Sequence, residues 1–305
     1  MNEDRLDAIA RALGAAETRR GLLRLGAALP LAGGLATLLG ESGEAGLYHR
    51  RRARHRRGDQ KENRKGKRNG NGKGKVGSGA CIAAADDLQG AIDAAAAGST
   101  LTLCDGIFQV NIRIDKNLTL AGASTASTIL NDAGAQSAII GIGQNARVTI
   151  QDLTVATSSG NGWWGINNSG KLQLLHVTVT GGARPLYGGG IINSGSLTVG
   201  DGTTVFKNGA DYEGGGIYND EGNVTLQKGS TVTDNVAVFG GGIYNYFGIL
   251  LVESGANITS NMAGGSDDGG GIYNEGGTVT IIAGANVSGN DPNNCGGDPV
   301  NGTCS

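Results

Sequence analysis

Histidine is scarce in this chain: three in 305 residues, and only His176 lies beyond the basic segment that ends at Lys75. No histidine cluster is available for a metal, and no Ser/His/Asp set for nucleophilic catalysis. The four cysteines, Cys81, Cys104, Cys295 and Cys304, include no Cys-x-x-Cys pair, which argues against zinc or redox chemistry. The glycine clusters are followed by neither Lys-Ser/Thr nor a helical pattern, which excludes a phosphate-binding loop. Long apolar runs are also missing. The longest mild one, Leu25–Gly40, has 16 residues, short of the roughly 20 that a spanning helix needs.

Glycine is abundant, with 57 residues, and it is organised. GGGIYN occurs at Gly214–Asn219, Gly240–Asn245 and Gly269–Asn274, with a looser GGGIIN at Gly188–Asn193. Its isoleucines, Ile191, Ile217, Ile243 and Ile272, step by 26, 26 and 29 residues. A weaker copy, Gly165–Gly170, lies 25 residues before Gly190–Gly195. A period in this range marks a stacked repeat whose units bury apolar faces only against their neighbours. Within one unit the runs Ile217–Asn219, Asn223–Leu226 and Thr231–Asn235 alternate apolar and polar residues between Gly, Asp, Asn and Ser punctuation. Three short strands per turn of about 25 residues predict an all-β parallel helix, each strand pairing with its copy one turn above. About seven coils fit.

Two asparagine columns keep the same period: Asn193, Asn219, Asn245, Asn274 and Asn208, Asn235, Asn261, Asn290. Stacked Asn can hydrogen-bond from coil to coil; the functional alternative is a polar binding stripe. The glycines are read as corners that need positive φ. Period-two alternation puts Ile217 and Asn219 on one face and Tyr218 on the other. Tyr218, Tyr244 and Tyr273 are then expected to form an outward ladder, either stacked on itself or offered as a platform for sugar rings.

The overall net charge of −2 conceals a split. Residues 1–75 carry net +10 and residues 76–305 net −12. Thr18-Arg19-Arg20-Gly21-Leu22-Leu23-Arg24 resembles a twin-arginine export signal, with Leu25–Gly40 as its core. Residues 1–45 are read as that signal segment, cleaved after Ala45 or kept as an anchor. The resemblance implies export in the folded state, to the medium or the cell surface. Residues 46–79 form a polybasic linker too poor in apolar residues to order itself. Its core, residues 50–75, is either a solvated spacer or an arm for an anionic wall polymer or lipid; no feature indicates specific nucleic-acid recognition. Residues 80–305 form the repeat domain.

Asp86–Gly98 predicts a short helix capped by Asp86, with Leu88 and Ile92 on one stripe and Gly98 after its end. It would cover the open end of the solenoid. The segment DLQGAIDAAAAGSTLTLCDGIFQVNIRIDKNLTLAGA resembles the entry of right-handed β-helix proteins of the pectin-lyase-like group. The GGGIYN repeats are similar to bacterial surface proteins of that fold, including polymorphic outer-membrane proteins. The resemblance spans about residues 84–290 and implies a right-handed parallel β-helix. The cysteines flank the repeats. Of three possible pairings, Cys81–Cys104 with Cys295–Cys304 is the favoured one, each fastening one end.

Four residues before each repeat isoleucine stand Tyr187, Glu213, Phe239 and Asp268, expected along one edge. Asp211, Tyr212, Asp267 and, one coil earlier, Trp163 and Trp164 join them. Aromatic faces beside carboxylates suit a carbohydrate site. Glu213, Asp267 and Asp268 are the catalytic candidates if the protein is an enzyme; the resemblance adds Arg184, because pectate lyases use an arginine base, although Arg184-Pro185 are adjacent and the Arg-x-Pro-x-x-Arg pattern is absent. Glu213 and Asp268 would stand two coils apart, about 9.6 Å at the strand spacing, near the outer limit for an inverting glycosidase. No cofactor is required, although the carboxylates could hold Ca²⁺. Hydrolases of the resembled group carry Asn-x-Asp, Asp-Asp, Gly-His-Gly and Arg-x-Lys; within the repeats only Asp267-Asp268 is present. The expectation is a non-catalytic surface or extracellular module that binds carbohydrate or wall polymer. A polysaccharide hydrolase or lyase, and a purely structural surface protein, are the alternatives.

Overall fold

The computed structural model describes residues 81–134, 137–157, 164–182 and 186–304. The signal segment, the linker, Trp163 and Arg184 lie outside the described residues. The described chain is an all-β parallel solenoid of about seven turns with one short helix near its start.

Each turn contributes strands to three columns. The first column stacks Ile112–Ile114, Ile140–Ile142, Ile166–Asn168, Ile191–Asn193, Ile217–Asp220, Ile243–Tyr246, Ile272–Glu275 and Cys295–Gly297. All its pairs are parallel, and the repeat isoleucines meet in register, Ile166↔Ile191↔Ile217↔Ile243↔Ile272. The second column includes Ser196–Val199, Asn223–Leu226, Ile249–Val252 and Thr278–Ile281, and the third Thr204–Phe206, Thr231–Thr233, Asn257–Thr259 and Asn286–Ser288. Two long strands, Arg147–Ala156 and Lys171–Thr180, run through both. They bend at Asp152 and His176, whose φ values are 55° and 48°. His176 is thus a turn residue at this bend, its Nδ1 3.2 Å from Asp152 Oδ1.

Alternation settles what faces inward. Ile217, Val224, Leu226 and Val232 are buried, as are their counterparts in neighbouring turns. The aliphatic column is closed above by the helix Leu88–Ala94, which buries Leu88 and Ile92. The capping residue is Asp87, whose Oδ1 accepts from Gly90 N at 2.9 Å. Asp86, the residue expected to cap, instead accepts from Ala83 N at 2.8 Å. Its carboxylate serves the turn before the helix, so one position shifts. Both favoured disulfides are present, Cys81–Cys104 and Cys295–Cys304. At the far end the tail folds back, with Asn301 N donating to Val279 O at 2.9 Å.

Both asparagine columns are buried ladders. Nδ2 of Asn168, Asn193, Asn219 and Asn245 each donates to Oδ1 of the next, ending on Asn274, at 2.7–2.8 Å. Asn208, Asn235, Asn261 and Asn290 form the second ladder at 2.9–3.0 Å, which closes on Asn294. Both ladders lie inside, so they are structural and do not form an external stripe. The glycines do two jobs, of which corner geometry is one. Gly214 has φ +65°, but Gly216 is required by proximity: a Cβ there would lie 2.6 Å from Gly242 O and 2.9 Å from Asn235 Nδ2.

Candidate functional site

The turn entering the first column is where the coils differ from one another. Tyr187, Glu213 and Phe239 are joined there by successive parallel bridges. Asp268 occupies the same level one coil on, its carbonyl accepting from Gly240 N at 2.9 Å. The edge read from the isoleucine spacing is therefore real, and Glu213 and Asp268 stand two coils apart. Trp164 joins it from the preceding coil, with Nε1–H donating to Tyr187 O at 2.6 Å. Tyr212 is held by backbone bonds, donating to Leu186 O at 3.1 Å and accepting from Phe239 N at 2.7 Å. Asp211, Tyr212, Glu213, Phe239 and Asp268 are half-buried and Asp267 is exposed.

Beside this edge runs the row of tyrosines on the outer face of the first column. Tyr218 and Tyr244 stack with centroids 5.6 Å apart and planes 21° from parallel; Tyr244 and Tyr273 do so at 5.1 Å and 14°. Tyr187 extends the row at 5.3 Å from Tyr218, and Phe239 flanks Tyr273 at 5.3 Å. The ladder is outward, as expected, but Tyr244 is only 2% exposed. Neighbouring rings cover both its faces, and its hydroxyl donates to the Glu275 carboxylate. The inner rings therefore spend their faces on one another and offer no open platform.

The electrostatics follow from burial and sign. Burial, then the charges of Asp220 and Glu213, hold the Tyr218 hydroxyl well above its ordinary pKa. Burial, then the Glu275 hydrogen bond, does the same for Tyr244. The Asp268 carboxyl is raised by burial and by Asp267, against a lowering hydrogen bond from the Gly265 backbone. Asp220 is raised by burial and by Glu221. A raised carboxyl keeps its proton to higher pH and can act as a proton donor.

Sequence reasoning missed Glu275 and Asp220, which follow IYN in two copies of the repeat, as Tyr246 does in the third. That variable fourth position was the available signal. Among the described residues no three His, Cys, Asp or Glu side chains gather as a metal-binding group would. No protein-family model matches the chain, and no curated protein matches it.

Proposed function

We propose that this solenoid is a binding or adhesion module for carbohydrate, exported by the twin-arginine route and working at the cell surface or outside the cell. The supporting observation is the edge itself. Tyr187, Glu213 and Phe239 lie in register, with Trp164 pinned to Tyr187. This places aromatic rings and carboxylates together on a rigid backbone, the combination a sugar-binding surface uses. The likeness to pectin-lyase-like β-helices enters here as part of the proposal, carried by the entry segment and the GGGIYN repeats. The basic residues 50–75 would act as a tether to anionic wall polymer or lipid.

A polysaccharide panel incubated with the full chain tests the reading, with and without calcium, scoring bound protein and released product in the same tubes. Binding without release supports the module. Absence of both across a broad panel overturns it and favours a purely structural role.

The second reading, a hydrolase or lyase, draws on Asp268. Its carboxyl is raised by burial, and Glu213 stands about 9.6 Å away at two strand spacings. Product release that disappears in Glu213→Gln or Asp268→Asn would establish that reading. Release that also needs calcium would make the ion part of this reading, with the edge carboxylates as its candidate ligands.

A further inference from the structure

Asparagine followed by glycine is a chemically labile pair. The glycine nitrogen can attack the asparagine side-chain carbonyl, and glycine has no side chain to hinder the attack. A C–N bond forms, ammonia leaves, and water opens the resulting succinimide at either carbonyl, giving aspartate or isoaspartate. Within the described residues the pair occurs twice, as Asn208-Gly209 and Asn301-Gly302. The pairs at Asn69, Asn71 and Asn161 lie outside them.

The reaction needs both groups free to meet, and the two sites are opposite in this respect. Asn208 is a rung of the second ladder and is 2% exposed. Its Oδ1 accepts from Gly182 N at 3.0 Å, and its Nδ2 donates to Val179 O at 3.1 Å and to Asn235 Oδ1 at 3.0 Å. The attacking nitrogen is held as well, Gly209 N donating to Gly182 O at 2.5 Å. Cyclisation there would break all of these bonds inside the solenoid, with no water to replace them.

Asn301 and Gly302 are both exposed. The Asn301 backbone is anchored, its N donating to Val279 O at 2.9 Å and its carbonyl accepting from Ile281 N at 2.7 Å. Among the described residues, neither its carboxamide nor the Gly302 N–H has a hydrogen-bond partner. Electrophile and nucleophile are therefore both open to solvent and to each other.

We propose that Asn301 is a site of spontaneous deamidation in the folded protein, while the ladder preserves Asn208. The product places a carboxylate on the rung that pairs with Thr280. In the isoaspartate form the main chain runs through the former side chain, so it lengthens between that rung and Cys304, whose disulfide closes this end.

The test is peptide mapping by mass spectrometry of the full chain, held in mildly alkaline buffer either folded or denatured and reduced. Each site is compared with itself, so the fold is the only variable. Asn301 should react nearly as fast folded as denatured. Asn208 must await local opening and should slow at least about tenfold on folding. Asn301→Gln should remove the product at that position and leave the rate at Asn208 unchanged. Slowing at Asn301 as great as at Asn208 overturns the inference, as does the absence of slowing at both.

Discussion

Asn219 Nδ2 donates to Asn245 Oδ1 at 2.7 Å inside the solenoid, while its own Oδ1 accepts from Asn193 Nδ2 at 2.7 Å. Its Nδ2 also reaches Gly222 O at 2.9 Å. A fully buried amide is thereby satisfied by the coil below, the coil above and its own corner. Replacing Asn219 by Ala leaves buried partners on both sides unmatched, so stability should fall by about 1–3 kcal/mol. Chemical denaturation with an unchanged m-value checks this. Asn167, on the outer face of the same column, should tolerate Ala within about 0.5 kcal/mol.

Gly216→Ala is expected to cost about 1–3 kcal/mol through overpacking. Its Cβ would fall 2.6 Å from Gly242 O, with backbone on one side and the Asn235 amide on the other. Gly141 lies on the outer face of an early coil, where the nearest atom to an added Cβ is Ile112 O at 3.8 Å. Gly141→Ala should leave the thermal midpoint nearly unchanged. Equal losses in both variants would refute the close-approach account.

The two disulfides close loops of 23 and 9 residues at opposite ends. Loop-closure entropy assigns each about 3 kcal/mol. Cys81→Ser with Cys104→Ser should remove hydrogen-exchange protection first from Leu88–Ala94 and Thr100–Thr102. Cys295→Ser with Cys304→Ser should expose Cys295–Gly297 first. Simultaneous loss along the whole solenoid would show that the ends are not independently fastened.

Asp268 gives the protein a pH signature. Its folded carboxyl is raised from the ordinary value of 3.8, burial being the main cause. The folded state therefore binds more protons than the unfolded one just above that value. Stability from this group is present below the unfolded pKa and is lost as pH rises through the folded one. Asp268→Asn should flatten the fall in thermal midpoint with rising pH across that window. An unchanged slope would remove Asp268 as a source, leaving Asp220, raised for the same reason.

The period of Ile191, Ile217, Ile243 and Ile272 made the fold legible, because a solenoid translates sequence spacing directly into stacking. The same holds for both asparagine ladders and for the Tyr187, Glu213, Phe239 edge. Other features escaped because they depend on what a neighbouring coil supplies. Tyr244 alternates outward like Tyr218, yet rings one coil away on each side bury it. Its Glu275 partner lies 31 residues along the chain. Asp86 and Asp87 are adjacent candidates for one cap, and local backbone geometry decided between them. The side chains that make the edge differ from coil to coil, so periodicity carries no information about what the edge does.

The last complete coils differ in length, yet Tyr244 and Tyr273 remain in register. From Ile217, Ile243 and Ile272 to the next Asn of the second ladder the distance is 18 residues each time. From Asn235 to Ile243 it is 8 and from Asn261 to Ile272 it is 11. Between these coils the variation therefore falls in one corner, the segment that carries Phe239 and Asp268. About two-thirds of each of these three coils keeps one length, while this corner can gain or lose residues without disturbing the stack. A foreign loop grafted between Ala263 and Asp268 should be displayed by the solenoid, and the same freedom lets descendants of this chain vary this corner while keeping one frame.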